Sequence, residues 1–231
     1  GLFAGLALVP WIKRRDCVVR LWMVPVGIVF GAMTGLYLGA VKSTTAANAI
    51  DLQYTATFWM IPLGAIFLGE TPDRRSLIGI LIAMVGIGVI VGWGYDGRPD
   101  EWKGVALGLA SGVAYALVAI GMRGLRDLDP IWLSASLNLI GALTLSLALL
   151  FTTGRGPIIP TGSQALILIA FGVVQMAIPY ILFAAGLRTI GAAEAGLIAL
   201  IEPILNPIWV LLVVGERPTL PTLVGGSLLP A

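Results

Sequence analysis

Glu202, Pro203, Asn206 and Pro207 stand together inside the long apolar run that ends at Val214. An ionisable group in hydrocarbon costs several kcal/mol unless it is paired or hydrated, so Glu202 marks a candidate for proton uptake and release or for contact with a cationic solute group. In a helix over 191–214 it lies at the centre, about 17 Å from either end. Each proline removes a backbone donor, which frees the carbonyls of Ala199 and Pro203 and predicts a kink. Glu202 and Asn206 share a face at one-turn spacing beside those carbonyls, giving a polar pocket wall. The competing role for Glu202 is a hydrogen bond to a neighbouring helix that only fixes the fold.

Facing candidates come from the run 47–68, where Gln53 and Thr57 are one turn apart and offer an amide and a hydroxyl to a polar solute, with Tyr54 beside them. Interhelical hydrogen bonding is the alternative use of these groups. Asp51 is expected to sit hydrated in a vestibule near the end of the same run. Gln175 and Tyr180 flank Pro179, a second predicted interruption of backbone bonding. Tyr115 with Ser111, and Tyr37 with Thr34, add hydroxyls on two further runs, and Trp59 could stack on a solute ring. Histidine is absent and Cys17 is the single cysteine. That removes the usual general base and metal ligands, so no metal, cofactor or catalytic residue is expected.

The elements that position these groups are membrane helices. Of 231 residues, 58% are hydrophobic and 11% charged, with a mean hydropathy of +0.98. Water cannot be the solvent for most of such a surface. Runs of about 20 apolar residues predict seven complete spans, at 21–41, 47–68, 76–94, 104–123, 130–152, 164–186 and 191–214. Partial spans are expected at 2–12 and 219–231, so the chain reads as a piece of a longer protein. A lipid-facing barrel would need period-two alternation, which these runs lack. Alternate connections hold nine basic residues, around Arg14, Arg74, Arg126 and Arg188, against five in the opposite set. The richer set is expected to face the cytoplasm.

A repeat lies underneath. Lys42, Ala46, Ala47, Ala49, Gly69, Glu70, Pro72 and Gly79 recur as Arg188, Ala192, Ala193, Ala195, Gly215, Glu216, Pro218 and Gly225, all at one offset of 146 residues (188 against 42). The two copies of the central helix are separated by four others, so they cross the membrane in opposite directions. Two inverted five-helix repeats follow, divided here as 1–94 and 95–231, with the first helix missing, the second partial and the tenth truncated. This is the architecture in which secondary transporters hold a solute between the halves and alternate between two mirror-related states. Glu70 and Glu216, at helix ends on opposite sides, are expected to act as structural locks or gates near the starts of the next helices. Glycines at 27, 31, 35 and 39 and at 104, 108 and 112 make smooth stripes for close helix packing.

The stretches Ala46-Ala47-Asn48-Ala49, Leu52-Gln53-Tyr54-Thr55-Ala56 and Gly69-Glu70-Thr71-Pro72 resemble the fourth-helix pattern of the EamA type within the drug/metabolite transporter superfamily. Ala192-Ala193-Glu194-Ala195, Ile201-Glu202-Pro203-Ile204 and Gly215-Glu216-Arg217-Pro218 resemble its ninth-helix pattern. The sequence departs from that pattern at Thr57, where the family usually has proline, with Pro62 further on. The resemblance implies an all-α, ten-helix transporter of small metabolites, amino acids or amphipathic drugs in the cytoplasmic membrane. Its partners would be a small-molecule solute, the bilayer, a coupling ion such as a proton, and a second copy in a homodimer. A passive pore, a lipid scramblase and a membrane-embedded enzyme are the alternatives, and no nucleic-acid contact is expected.

Overall fold

The computed structural model describes residues 1–44, 46–71, 74–93, 101–153, 160–202 and 205. The chain is an all-helical, multi-pass membrane protein. Its helices are α1 (Leu2–Leu8), α2 (Met23–Ser43), α3 (Ala46–Gln53), α4 (Ala56–Leu68), α5 (Arg74–Trp93), α6 (Glu101–Gly124), α7 (Pro130–Thr153), α8 (Gly162–Phe171), α9 (Ile178–Gly186) and α10 (Ala192–Ala199). Met23–Ser43, Trp102–Gly124, Pro130–Thr152 and Gly162–Gly186 are each long and apolar enough to cross a bilayer. Large apolar side chains such as Leu38, Phe151 and Leu166 are exposed on these helices, as a surface solvated by lipid requires.

Local chemistry sets the helix ends. Asp129 accepts from the backbone N–H groups of Ile131 and Trp132, 3.0 Å each, and so caps α7. Thr161 and Gln164 form a reciprocal capping box at α8. Gly69 closes α4 in the left-handed region at φ 65°, where a Cβ would be strained.

Two spans predicted as single helices are interrupted. The run 47–68 breaks at Tyr54–Thr55. There the Thr55 hydroxyl donates to the Leu52 carbonyl at 2.6 Å, and the backbone N–H groups of Thr57 and Phe58 reach back only three residues, to Tyr54 and Thr55. A side-chain bond of this kind competes with the helical ladder and tightens it. Pro62 lies inside α4 without ending it. The run 164–186 passes through a π-helical turn, Gly172–Ala177, just before Pro179 at the start of α9. Proline lacks the backbone donor that would continue the ladder there.

The chain divides into two compact units, Gly1–Gly35 with Leu117–Ile190, and Leu36–Ala116 with Gly191–Ala231. In the first, α1 packs on α7, α8 and the π turn, and α7 packs on α9. Ala4, Leu8, Ala135 and Ala177 form a buried apolar cluster within it. Arg20 pairs with Asp127 at 2.7 Å at one end. Here α2 lies against α7 through Gly27, Gly31 and Gly35. A Cβ at Gly31 would come within 2.7 Å of the Gly141 carbonyl oxygen and 2.9 Å of Thr144 Cβ. Gly31→Ala is therefore expected to destabilise the fold by about 1–3 kcal/mol. Gly88→Ala, which meets open space, should leave stability unchanged. Thermal unfolding of both variants in detergent, followed by intrinsic fluorescence, checks the contrast.

In the second unit, α3 packs on α5, and α4 and α10 pack on each other and on α5. The α6 glycine stripe meets α3 and its approach: Gly104 faces Thr44, Gly108 faces Leu52, and Gly112 faces Thr55 together with the Leu52 and Gln53 carbonyls.

Candidate functional site

The broken helix α3–α4 and the helix α10 bring most of the sequence candidates together in the second unit. The α10 helix ends at Ala199, and Leu200 bonds back three residues to the Leu197 carbonyl at 3.1 Å. The interruption thus falls just before Glu202. Leu200 is fully buried and packs with Tyr54, which is buried too, among Ile50, Met84, Leu197 and Ala199.

Glu202 is exposed on this unit, and its carboxylate lies near the Tyr54 hydroxyl. Its charge also acts on Tyr37 and Tyr115. The arrangement is one carboxylate beside three phenols contributed by α2, the α3–α4 break and α6. It can pass a proton, accept a hydrogen-bond donor, or hold a cationic group. An exposed carboxylate on a membrane helix cannot be left facing hydrocarbon, so this face of the unit meets water, solute or other protein.

Thr57 is buried, and its hydroxyl donates to the Gly196 carbonyl at 3.3 Å. This is the interhelical use of the side chain, and the break at Tyr54–Thr55 removes the continuous helix that put Gln53 and Thr57 on one face. Gly196 permits the approach of α4 and α10, since a Cβ there would lie 2.8 Å from Met60 Sδ. Gln53 is half-buried. Ser111 is buried with its hydroxyl on the Gly108 carbonyl at 2.9 Å, and Trp59 makes an edge-to-face contact with Phe58.

Gln175 and Tyr180 belong to the first unit. Gln175 is exposed in the π turn, and Tyr180 meets Phe30 edge to face at 4.8 Å. Pro179 stands at the start of α9. Pro203, Asn206, Pro207 and Glu216 lie outside the described residues.

Glu70 accepts a hydrogen bond from the Ala192 backbone N–H at 3.1 Å. The helix start it reaches is that of α10, 122 residues away in sequence, where the sequence pointed to the next helix in line.

A polar stripe escaped the sequence reading. Thr44, Asn48, Asp51 and Thr55 recur at helical spacing, and all four are buried. Asp51, expected to be hydrated, is 8% exposed, and Asn48 donates to the Thr44 hydroxyl at 3.5 Å. The signal was available as a polar face of period 3.6 opposite the α6 glycine stripe. Phe30, which packs with Tyr180, was likewise unmarked, because an apolar side chain in an apolar span carries no signature.

An all-helical bundle with membrane-length helices, interrupted helices and inter-helix glycine contacts defines a polytopic membrane protein. The chain matches the EamA-like transporter family over residues 1–92 and 102–229, and it belongs to that family. A protein of Archaeoglobus fulgidus described as an uncharacterized transporter is 30% identical over 205 residues, covering 88% of this chain and 72% of that protein. One of Clostridium kluyveri with the same description is 24% identical over 193 residues, covering 80% of this chain and 61% of its own length. A solved crystal structure superposes with a TM-score of 0.76 at 18% identity, over 98% of this chain and 79% of that one. The likeness is in fold. The protein is thus a membrane transporter, and family and relatives point away from an enzyme.

Proposed function

We propose that the protein carries a small polar or amphipathic solute across the cell membrane by alternating access, as gradient-coupled secondary transport, with Glu202 as its proton- or solute-binding carboxylate. The observation that carries this reading is the pairing of two equivalent helix breaks. The helices that end at Gln53 and at Ala199 break at positions that correspond at the offset of 146 found in the sequence (199 against 53). The residue that follows each, Tyr54 in one and Leu200 in the other, packs against its own counterpart. A residue that touches its own copy lies on a twofold relation, as in an isologous interface.

Direction supports the same reading. The end of α4 meets the start of α10 through Glu70 and Ala192, and Thr57 meets Gly196 further along. The two helices therefore run in opposite directions, as inverted copies must. Inverted repeats with discontinuous helices meeting at a central site are the design of alternating-access carriers. Metabolites, amino acids and amphipathic drugs are the solute classes that the family resemblance supplies.

The test begins with a thermal-shift screen of metabolites against the full-length protein, followed by flux of the stabilising solute in proteoliposomes. A carrier gives saturable uptake and counterflow, with transient accumulation of labelled solute against unlabelled solute inside. Unsaturable flux or single-channel conductance would identify a pore and end the alternating-access reading.

A further inference from the structure

We propose that Glu70 is a latch between the repeats: its carboxylate, fastened to the first turn of α10, holds shut the cleft between α4 and α10 at that end of the solute path. The contact is built from both sides. Gly69, at φ 65°, turns the chain out of α4, and the backbone N–H groups of Gly69 and Glu70 both bond to the Gly64 carbonyl. This fixes the direction in which Glu70 leaves the helix. On the other side, α10 begins after Gly191, a residue without a side chain to cap the donors of the first turn. The Glu70 oxygen supplies that cap at 3.1 Å to Ala192, and would lie 3.4 Å from a Cβ placed at Gly191. A carboxylate at a helix N-terminus is stabilised by both the bond and the helix dipole.

The latch joins the end of one repeat's broken helix to the start of the other's. Beneath it, Met60 is 1% exposed and lies against Gly196, so the α4–α10 seam is closed from Glu70 down to Thr57. Releasing Glu70 frees the first turn of α10, which continues without a long loop into Leu200 and Glu202. The consequence for solute access rests on the alternating-access reading above. The contact itself does not.

The experiment uses the full-length protein in nanodiscs with Cys17→Ser to remove the exposed thiol and Met60→Cys as reporter. The modification rate of this thiol is measured with a hydrophilic methanethiosulfonate ammonium reagent. Glu70→Ala is expected to accelerate it at least about tenfold, and Glu70→Gln, which keeps an acceptor oxygen without the charge, about threefold. A merely structural cap would fray α10 at Ala192–Ala195 in hydrogen exchange while leaving the buried thiol as slow as before. Rates within about twofold of the parent in a monodisperse variant overturn the latch. If Glu70→Ala does not fold, Glu70→Gln decides by the same criterion. The assay needs no solute, so a failure of transport leaves its outcome standing, whereas solute flux with an unchanged thiol rate sinks the latch alone.

Discussion

Glu202→Gln in the full-length protein is expected to cut solute flux on the order of thirtyfold and to flatten its pH dependence, with the thermal stability of the parent. The substitution preserves size and an acceptor oxygen. Glu202 is exposed on its unit, so the change leaves no cavity in a packed interior. What it removes is the charge and the exchangeable proton. A hydrogen bond to a charged group contributes about 2 kcal/mol more than nothing, which is roughly thirtyfold in an equilibrium constant. Tyr54 would keep a neutral neighbour in the amide, while the influence of the charge on Tyr37 and Tyr115 would vanish. Counterflow in proteoliposomes, measured over a pH series with the solute found by thermal shift, reads both effects. A variant that transports at the parent rate with the parent pH profile would reduce Glu202 to a packing residue. Stability lost along with flux would point the same way.

Much of this arrangement was legible in the sequence, for reasons that particular residues make clear. Hydropathy locates the spans because lipid tolerates only helices whose backbone bonds are closed internally. The recurrence at one offset from Lys42 to Gly79 and from Arg188 to Gly225 is the ground for proposing a duplication, because gapless identity between two apolar stretches is not produced by composition. Pro179 carries a signal of its own in the sequence, since a missing donor acts locally. The break at Tyr54–Thr55 was not legible. It depends on a threonine hydroxyl turning back to Leu52, a choice that the same residue declines in most helices, and on α6 being close enough to hold it there. Asp51 was misjudged for a similar reason: distance from a helix end says nothing about which face is covered, and here the covered face is the polar one. Nor could a sequence reveal that Glu70 reaches α10, because the partner is a backbone N–H, which every residue but proline possesses.

Gly112→Ala is expected to destabilise the protein by about 1–3 kcal/mol and to depress flux further than its stability loss explains. A Cβ at Gly112 would stand 2.5 Å from Thr55 Oγ1, 3.0 Å from the Leu52 carbonyl oxygen and 3.1 Å from that of Gln53. Two of these three are backbone atoms at the break, and neither can rotate aside. Either α6 retreats, losing the contact that small residues make possible in lipid, or the break is reshaped, which moves Tyr54 relative to Glu202. Gly39 provides the control. Its added Cβ would meet the far end of the Leu107 side chain, Cδ1 at 3.1 Å and Cδ2 at 3.9 Å, which a change of rotamer relieves, so Gly39→Ala should lose less stability and keep its flux. Thermal unfolding and counterflow, measured side by side on the two alanines, separate the outcomes. Equal behaviour of both variants would mean that α6 is a passive wall. A selective loss at Gly112 would mean that the interruption in α3–α4 is held in place from α6, and that the geometry around the carboxylate is set by three helices acting together.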